Sequence, residues 1–347
     1  RGVRKVMRFF LFLMGILLFC NSAWADFKTV LTKYFETCPA AVTTELVWQN
    51  ANDEYNAALL RASSKLEILM ADVARYEKQL AYTSKKWALI ADLIDALLDW
   101  KLAQIEKNIA EVEYNMYSED YTNKQKAFTY GGVSETEVQI ALIRRDLHLA
   151  ELEYYKNYRA QLETHLKETL SVSEIPTITL PLAALPTLNE ETQKKAKDGS
   201  IEIKIAQSSN EIEMTRYRLS SAGMTTAYQA DYSKRMAKIH ELNIKSLEQD
   251  LYYDLARYHE GLKIATARLK ASQDEKNLQL NQLPKVQEAH TKGYITANDY
   301  YKKLLEIYAY DRTAHHAEKE YLESLIAFLK QSNADPIAVF PLYVQTK

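Results

Sequence analysis

The side chains able to do chemistry are few, and their spacing orders them into no reaction centre. The chain has 347 residues with seven histidines and two cysteines. His315 and His316 are adjacent. On a helix they point to different faces, so they cannot chelate an ion as an i,i+4 pair does. Cys20 directly follows an N-terminal apolar run at 8–19 and falls within residues 1–25, which leaves Cys38 alone in the rest of the chain and excludes an internal disulfide framework. Serine, histidine and aspartate all occur, but no nucleophile elbow, Gly-rich phosphate loop or His-Glu-x-x-His helix arranges them. The expectation is a protein that is not an enzyme, with no cofactor and no metal site. Trp87–Trp100 is the most apolar later stretch, and membrane insertion is one reading of it. Asp92, Asp95 and Asp99 recur at 3–4 spacing and give it one wet face, the mark of an amphipathic core helix.

What the sequence does repeat is a turn. Gly131-Gly-Val-Ser-Glu-Thr-Glu-Val138 and Gly293-Tyr-Ile-Thr-Ala-Asn-Asp-Tyr300 share the pattern Gly-x-apolar-Ser/Thr-x-x-acid-apolar at an offset of 162. Gly131 or Gly293 ends one helix in the left-handed conformation that other residues avoid. Ser134 or Thr296 caps the next helix, and Glu137 or the shorter Asp299 reaches back to complete a capping box. Val133 with Val138, and Ile295 with Tyr300, stand at the two hydrophobic-staple positions. Each octapeptide reads as a tight helix–turn–helix reversal. Its small residues (Gly131, Gly132, Gly293) permit close approach of another chain, and Val133, Tyr294 and Ile295 supply apolar contact area. A second pair of anchors, Glu36-Thr-Cys-Pro39 and Lys197-Asp-Gly-Ser200, lies 161 residues apart, each ending one weak helix and starting another.

These turns need long helices to hold them. Only 8 Gly and 7 Pro punctuate a chain that is 47% hydrophobic and 26% charged. Strand-rich sandwiches and barrels need turn signals far more often. The net charge of −2 leaves no electrostatic footprint for nucleic acid. Apolar periodicity places helices at about 40–60, 65–129 and 135–170, then at about 201–221, 232–291 and 297–331. By the helical rise these span roughly 32, 97 and 54 Å, then 31, 90 and 52 Å. In each set the two short helices sum to nearly the long one. The fold expected is all-α: an elongated antiparallel coiled coil of very long helices in two tandem repeats, one partner continuous and the other broken.

The return helix of the first repeat carries two apolar stripes. Ile140, Ile143, Leu147, Ala150 and Tyr154 form one; Val138, Leu142, Leu149 and Leu152 form the other on an adjacent face. One stripe suits a two-stranded coil, whereas two suit a helix with neighbours on both sides. In the second repeat Tyr300, Leu304, Ile307 and Ala314 follow the same spacing. Pro284, about two turns before the second tip, is expected to kink or break its long helix.

The domain layout follows. Residues 1–25 have a basic start, a short apolar centre and Ala23-Trp-Ala25, the pattern of a secretory signal peptide. Residues 26–171 form the first helical repeat, 172–187 an extended linker holding Pro176, Pro181 and Pro186, 188–335 the second repeat, and 336–347 a C-terminal tail. The protein is expected to be exported, to the periplasm or the outer-membrane region of a Gram-negative-type envelope.

The duplicated turns, the tandem halves, the long-helix/split-helix lengths, the Cys38-Pro39 opening and Ala127-Phe-Thr-Tyr-Gly131 together resemble the TolC-like outer-membrane efflux proteins. The resemblance covers nearly all of the chain after residue 25. It implies a trimer, a helical periplasmic tube, and tips at Gly131, Gly132, Val133, Ser134, Glu137, Gly293, Tyr294, Ile295, Thr296 and Asp299 that dock a periplasmic adaptor protein serving an inner-membrane pump. It implies an efflux or type I secretion-type export conduit. One departure stands out. A membrane strand needs about 9–11 residues, and the junctions at 60–65 and 220–232 have no room for the hairpins of a barrel. A periplasmic coiled-coil scaffold without transport activity is the second reading, and a secreted helical pore-forming toxin the third.

Overall fold

The computed structural model describes residues 27–181, 185–224 and 226–346. The signal-peptide reading of residues 1–25, Cys20 included, lies outside the described residues. Of the described residues 87% are helical.

Helix α1 (Phe27–Thr37) buries Phe27, Val30, Leu31 and Tyr34, an i, i+3, i+4, i+7 face. Pro39 then opens α2 (Pro39–Arg61), with a proline where the missing N–H is not needed. Helix α3 runs unbroken from Lys65 to Thr129, about 97 Å at the helical rise. Ser64 caps it by accepting from Glu67 N–H, and Glu67 accepts from Ser63 N–H at 2.5 Å. Helix α4 (Glu135–Leu170) returns beside α3 and ends at Ser171 in the left-handed region (φ 51°, ψ 44°). Next comes a Pro-spaced segment containing strand β1 (Ile178–Thr179).

The second repeat opens with α5 (Glu190–Gly199) and α6 (Ile201–Leu219), divided by Ser200, which caps α6 through Ile203 N–H. A single π-turn, Ser220–Met224, holds Gly223 at φ 83°. Helix α7 (Ala227–Leu280) starts five residues earlier than periodicity indicates, because Thr226 and Gln229 form a complete capping box. It does not run on to 291. The Pro284 ring occupies the space of the carbonyl four residues back, Leu280, which is the last residue of α7. The chain restarts as α8 (Leu283–Thr291) with Pro284 in its first turn. Helix α9 (Ala297–Gln331) completes the repeat.

The tail is folded. Helix α10 (Pro336–Val339) and a 3₁₀ turn (Phe340–Leu342) lead into β2 (Gln345–Thr346), antiparallel to β1 with Ile178 opposite Thr346. These two-residue strands are the only strands among the described residues. The α2–α3 junction is three residues, Ala62–Ser64, and the α6–α7 junction spans 220–226, so neither contains a hairpin.

The long helices form a single layer. Helix α3 packs on α4 along the tip-side half and on α2 along the other; α9 lies between α3 and α7, and α6 lies between the same two at the far half. The layer order is therefore α4–α3–α9–α7 toward the tips and α2–α3–α6–α7 away from them. The core sits at mid-length, where the broken helices meet. Trp87, Ile90, Leu93, Ile94, Leu97 and Leu98 of α3 are buried there with Leu255 and Leu262 of α7 and Tyr321, Leu325 and Phe328 of α9. The apolar 87–100 stretch is thus core, with Asp92 exposed. Phe27 and Trp87 both meet the Phe340 ring edge-on, at 5.9 and 6.3 Å, which ties α1 and the tail into the same cluster. Among the described residues no helix is long and apolar enough to cross a membrane.

Candidate docking tips

The two reversals are built alike. At the first, Gly131 N–H donates to Phe128 O (3.0 Å) and Gly132 N–H to Ala127 O (2.9 Å). At the second, Gly293 N–H donates to His290 O (2.9 Å) and Tyr294 N–H to Ala289 O (2.8 Å). This is the Schellman pattern twice, with glycine in the left-handed position each time: φ is 71° at Gly131 and 73° at Gly293.

The caps differ. Ser134 Oγ accepts from Glu137 N–H (3.3 Å), and Glu137 Oε2 accepts from Ser134 N–H (2.8 Å), a closed capping box. Those bonds from the Ser134 backbone and hydroxyl hold the Glu137 carboxyl below the usual carboxylate range. Thr296 Oγ1 accepts from Asp299 N–H (3.1 Å) and donates to Asp299 Oδ2 (2.7 Å). The shorter Asp299 side chain does not reach the Thr296 backbone, so this box stays open. Val133, Val138, Ile295 and Tyr300 are half-buried at the staple positions.

Both hairpins are braced by aromatic stacking. Tyr117 of α3 lies flat on His148 of α4 (4.2 Å, 6°), and His290 of α8 on Tyr300 of α9 (4.4 Å, 10°). Both turns are at the same end of the layer but at different heights. Thr296, Asn298 and Tyr301 line an open cleft of about 510 Å³ with Met116, Asp120 and Asn123 of α3. Asn123 precedes Gly131 by eight residues, so the first turn projects roughly 12 Å beyond the second. At the ends themselves, Tyr130 is 89% exposed and Tyr294 77%, with Phe128 also exposed. Tyr130 and Phe128 fall outside the repeated octapeptide, so the motif alone did not single them out.

The return helices differ in what flanks them. In α9, Ile307, Ala314 and Ala317 are buried, and the helix has α3 on one side and α7 on the other. In α4 the Val138, Leu142, Leu149, Leu152 stripe is half to fully buried, but Ile140, Ile143, Leu147 and Tyr154 are exposed, Ile143 at 67%. The outer edge of α7 has a matching feature. Tyr228, Tyr232, Ile239, Leu242, Tyr253, Ile264 and Leu278 are all exposed. At 100° per residue they fall within about 80° of one another, an apolar stripe spread over roughly 75 Å of helix and interrupted on the same face by exposed Arg257 and Glu260.

No family model and no curated protein sequence matches the chain. Solved structures do. A membrane protein from Pseudomonas aeruginosa superposes with a TM-score of 0.59 at 10% identity, over 91% of this chain and 93% of that one. The CmeC outer membrane channel of Campylobacter jejuni gives 0.57 at 9% identity, over 89% and 86%. The outer membrane protein VceC of Vibrio cholerae gives 0.56 at 9% identity, over 88% and 95%. The chain has the TolC-like helical protomer fold.

Proposed function

We propose that the protein is a component of a cell-envelope efflux or type I secretion-type conduit, assembled from several copies and docking a periplasmic adaptor through its tips. The observation that carries this reading is the pair of open edges. Helix α9 has its own long helix on one flank and the other repeat's long helix on the other. Helix α4 has α3 on one flank, and the Ile140, Ile143, Leu147, Tyr154 stripe is open on the other. The α7 stripe of a second copy supplies the missing neighbour. That contact is heterologous, so repetition closes a ring when the rotation per copy divides a full turn. Resemblance to the TolC-like channels supports three copies per ring.

The tips suit an adaptor because they offer exposed Tyr130 and Tyr294 beside glycines that hold the backbone bare. An inner-membrane pump would stand behind the adaptor, and the location would be the periplasm or the outer-membrane region. The scaffold reading draws on one observation: the described residues contain no membrane strand.

Native mass spectrometry and cross-linking of the chain from Asp26 onward test the assembly. A closed trimer is expected, reduced to monomer by Tyr253→Asp with Ile264→Asp. A monomer at micromolar concentration in the parent chain would move the reading to the scaffold.

A further inference from the structure

Away from the tips, one cluster of side chains is arranged as ligands rather than as a surface. Glu113 stands on α3, and His148 and Glu151 stand three residues apart on the facing α4. Their ligand atoms all lie within 4.8 Å of one another. Ligand atoms around a tetrahedral ion at 2.1 Å are roughly 3.4 Å apart, so small rotamer changes close the set. His148 Nδ1 lies 2.7 Å from Glu151 Oε2 and 3.7 Å from Glu113 Oε2. That nitrogen is closed off from solvent. The imidazole and the two carboxylates thus present their ligand atoms to one small volume between α3 and α4.

The surroundings fit the same demand. Tyr117 stacked on His148 fixes the plane of the imidazole. Arg312, the nearby cation, is committed to Glu106 at 2.5 Å. An open cleft of about 440 Å³, bounded by Glu106, Glu113, Glu151, Tyr154, Tyr155 and Arg312, reaches the cluster and leaves room for water at a remaining coordination position.

We propose that Glu113, His148 and Glu151 bind a divalent transition-metal ion, Zn²⁺ by donor set, and that the ion ties α3 to α4 below the first tip. One imidazole and two carboxylates suit zinc, with three protein ligands and one open position. Magnesium and calcium take all-oxygen sets, and copper(I) selects sulfur, which is absent here. Each protein ligand binds through a lone pair with no change of oxidation state. The tie is made within one chain, so it stands or falls independently of the assembly argued above.

The test is calorimetric titration of the metal-stripped full chain with ZnCl₂ alone. One equivalent per chain is expected, with no heat from MgCl₂. Glu113→Gln with Glu151→Gln, and separately His148→Ala, should each weaken binding at least 100-fold while far-UV circular dichroism is unchanged. Co²⁺ added to the unaltered chain gives a readout that needs no variant: visible d–d bands of an N/O site, displaced by one equivalent of Zn²⁺. Absence of stoichiometric zinc binding, or binding that survives both variants, overturns the proposal. In the first case His148 is simply an ion-pair partner of two glutamates.

Discussion

Arg312 Nη2 lies 2.5 Å from Glu106 Oε2, a pair 206 residues apart that joins the return helix of the second repeat to the long helix of the first. Lys319 to Asp95 (2.9 Å) repeats the same cross-link nearer mid-length. The Glu106 side chain is 17% exposed, the Arg312 side chain 42%. Removing the arginine strands the more buried partner. Arg312→Leu is expected to destabilise the chain by about 1–3 kcal/mol, the cost of leaving a buried polar group unmade. The double variant with Glu106→Leu should cost clearly less, because no charge is then stranded. A double-mutant cycle by urea denaturation measures both, and equal losses in the single and double variants would show that the pair contributes nothing specific.

His315 sets a pH dependence. It is almost wholly buried on α9, 3.9 Å through Nδ1 from buried Glu318, whose carboxylate is held by Lys101. Burial first, then the positive charge of Lys101 and of His316, lowers its pKa to about 4. The unfolded chain binds this proton near pH 6.5 and the folded one does not until about pH 4. Stability is therefore complete above pH 6.5 and falls as pH drops toward 4, by up to about 3 kcal/mol. The difference in melting temperature between the parent and His315→Leu, followed from pH 7 to 4, should shrink steadily as pH falls. A constant difference would mean that His315 protonates equally well in both states.

Pro284 gives a local prediction. It leaves Leu280 O without its helical donor and breaks one helix into α7 and α8. Asn281 and Gln282 between them keep right-handed helical angles (φ −66°, ψ −16° and φ −84°, ψ −21°). Pro284→Ala should therefore fuse α7 and α8 and stabilise the chain, by up to about 3 kcal/mol on the helix-propensity scale. Amide exchange at 281–285 should slow. Unchanged exchange there would assign the break to the α8–α9 packing instead.

The helices were legible because their ends are marked by chemistry as well as period. Ser64, Ser134 and Thr296 with Glu67, Glu137 and Asp299 three residues on place the starts of α3, α4 and α9 to the residue. The start of α7 precedes the expected 232 because Thr226 and Gln229 form its box while the polar residues that follow carry little apolar period. The sequence marks 336–347 only as a C-terminal tail, whereas Phe340 and Val344 are fully buried. A short helix with three apolar positions carries no period, so only its tertiary partners Phe27 and Trp87 reveal it. Likewise, Glu113 and His148 are 35 positions apart in sequence. Within-helix spacing finds only the His148–Glu151 pair, and the third member appears only when the hairpin closes.

The tips themselves give the last prediction. A Cβ at Gly131 or Gly293 would meet nothing within 4 Å, so space is free at both sites. The obstacle to a side chain is the backbone alone, at φ 71° and 73°. Gly131→Val and Gly293→Val should therefore each strain their turn by about 1–2 kcal/mol. Gly132 is different: its Cβ would stand 3.3 Å from Ala127 O, the acceptor of the Gly132 N–H bond. A Schellman turn that loses its left-handed residue must open, which swings Tyr130 and Tyr294 away from their present positions. The mid-length core is distant along α3, so global melting should shift by only a few degrees. The double variant is expected to assemble like the parent while losing export and capture of an adaptor. Measuring thermal unfolding, native mass and transport on the same preparation separates the possibilities. Normal folding, normal assembly and normal transport together would leave the tips as bare turns, and docking would then have to be sought in the cleft between Asn123 and Thr296.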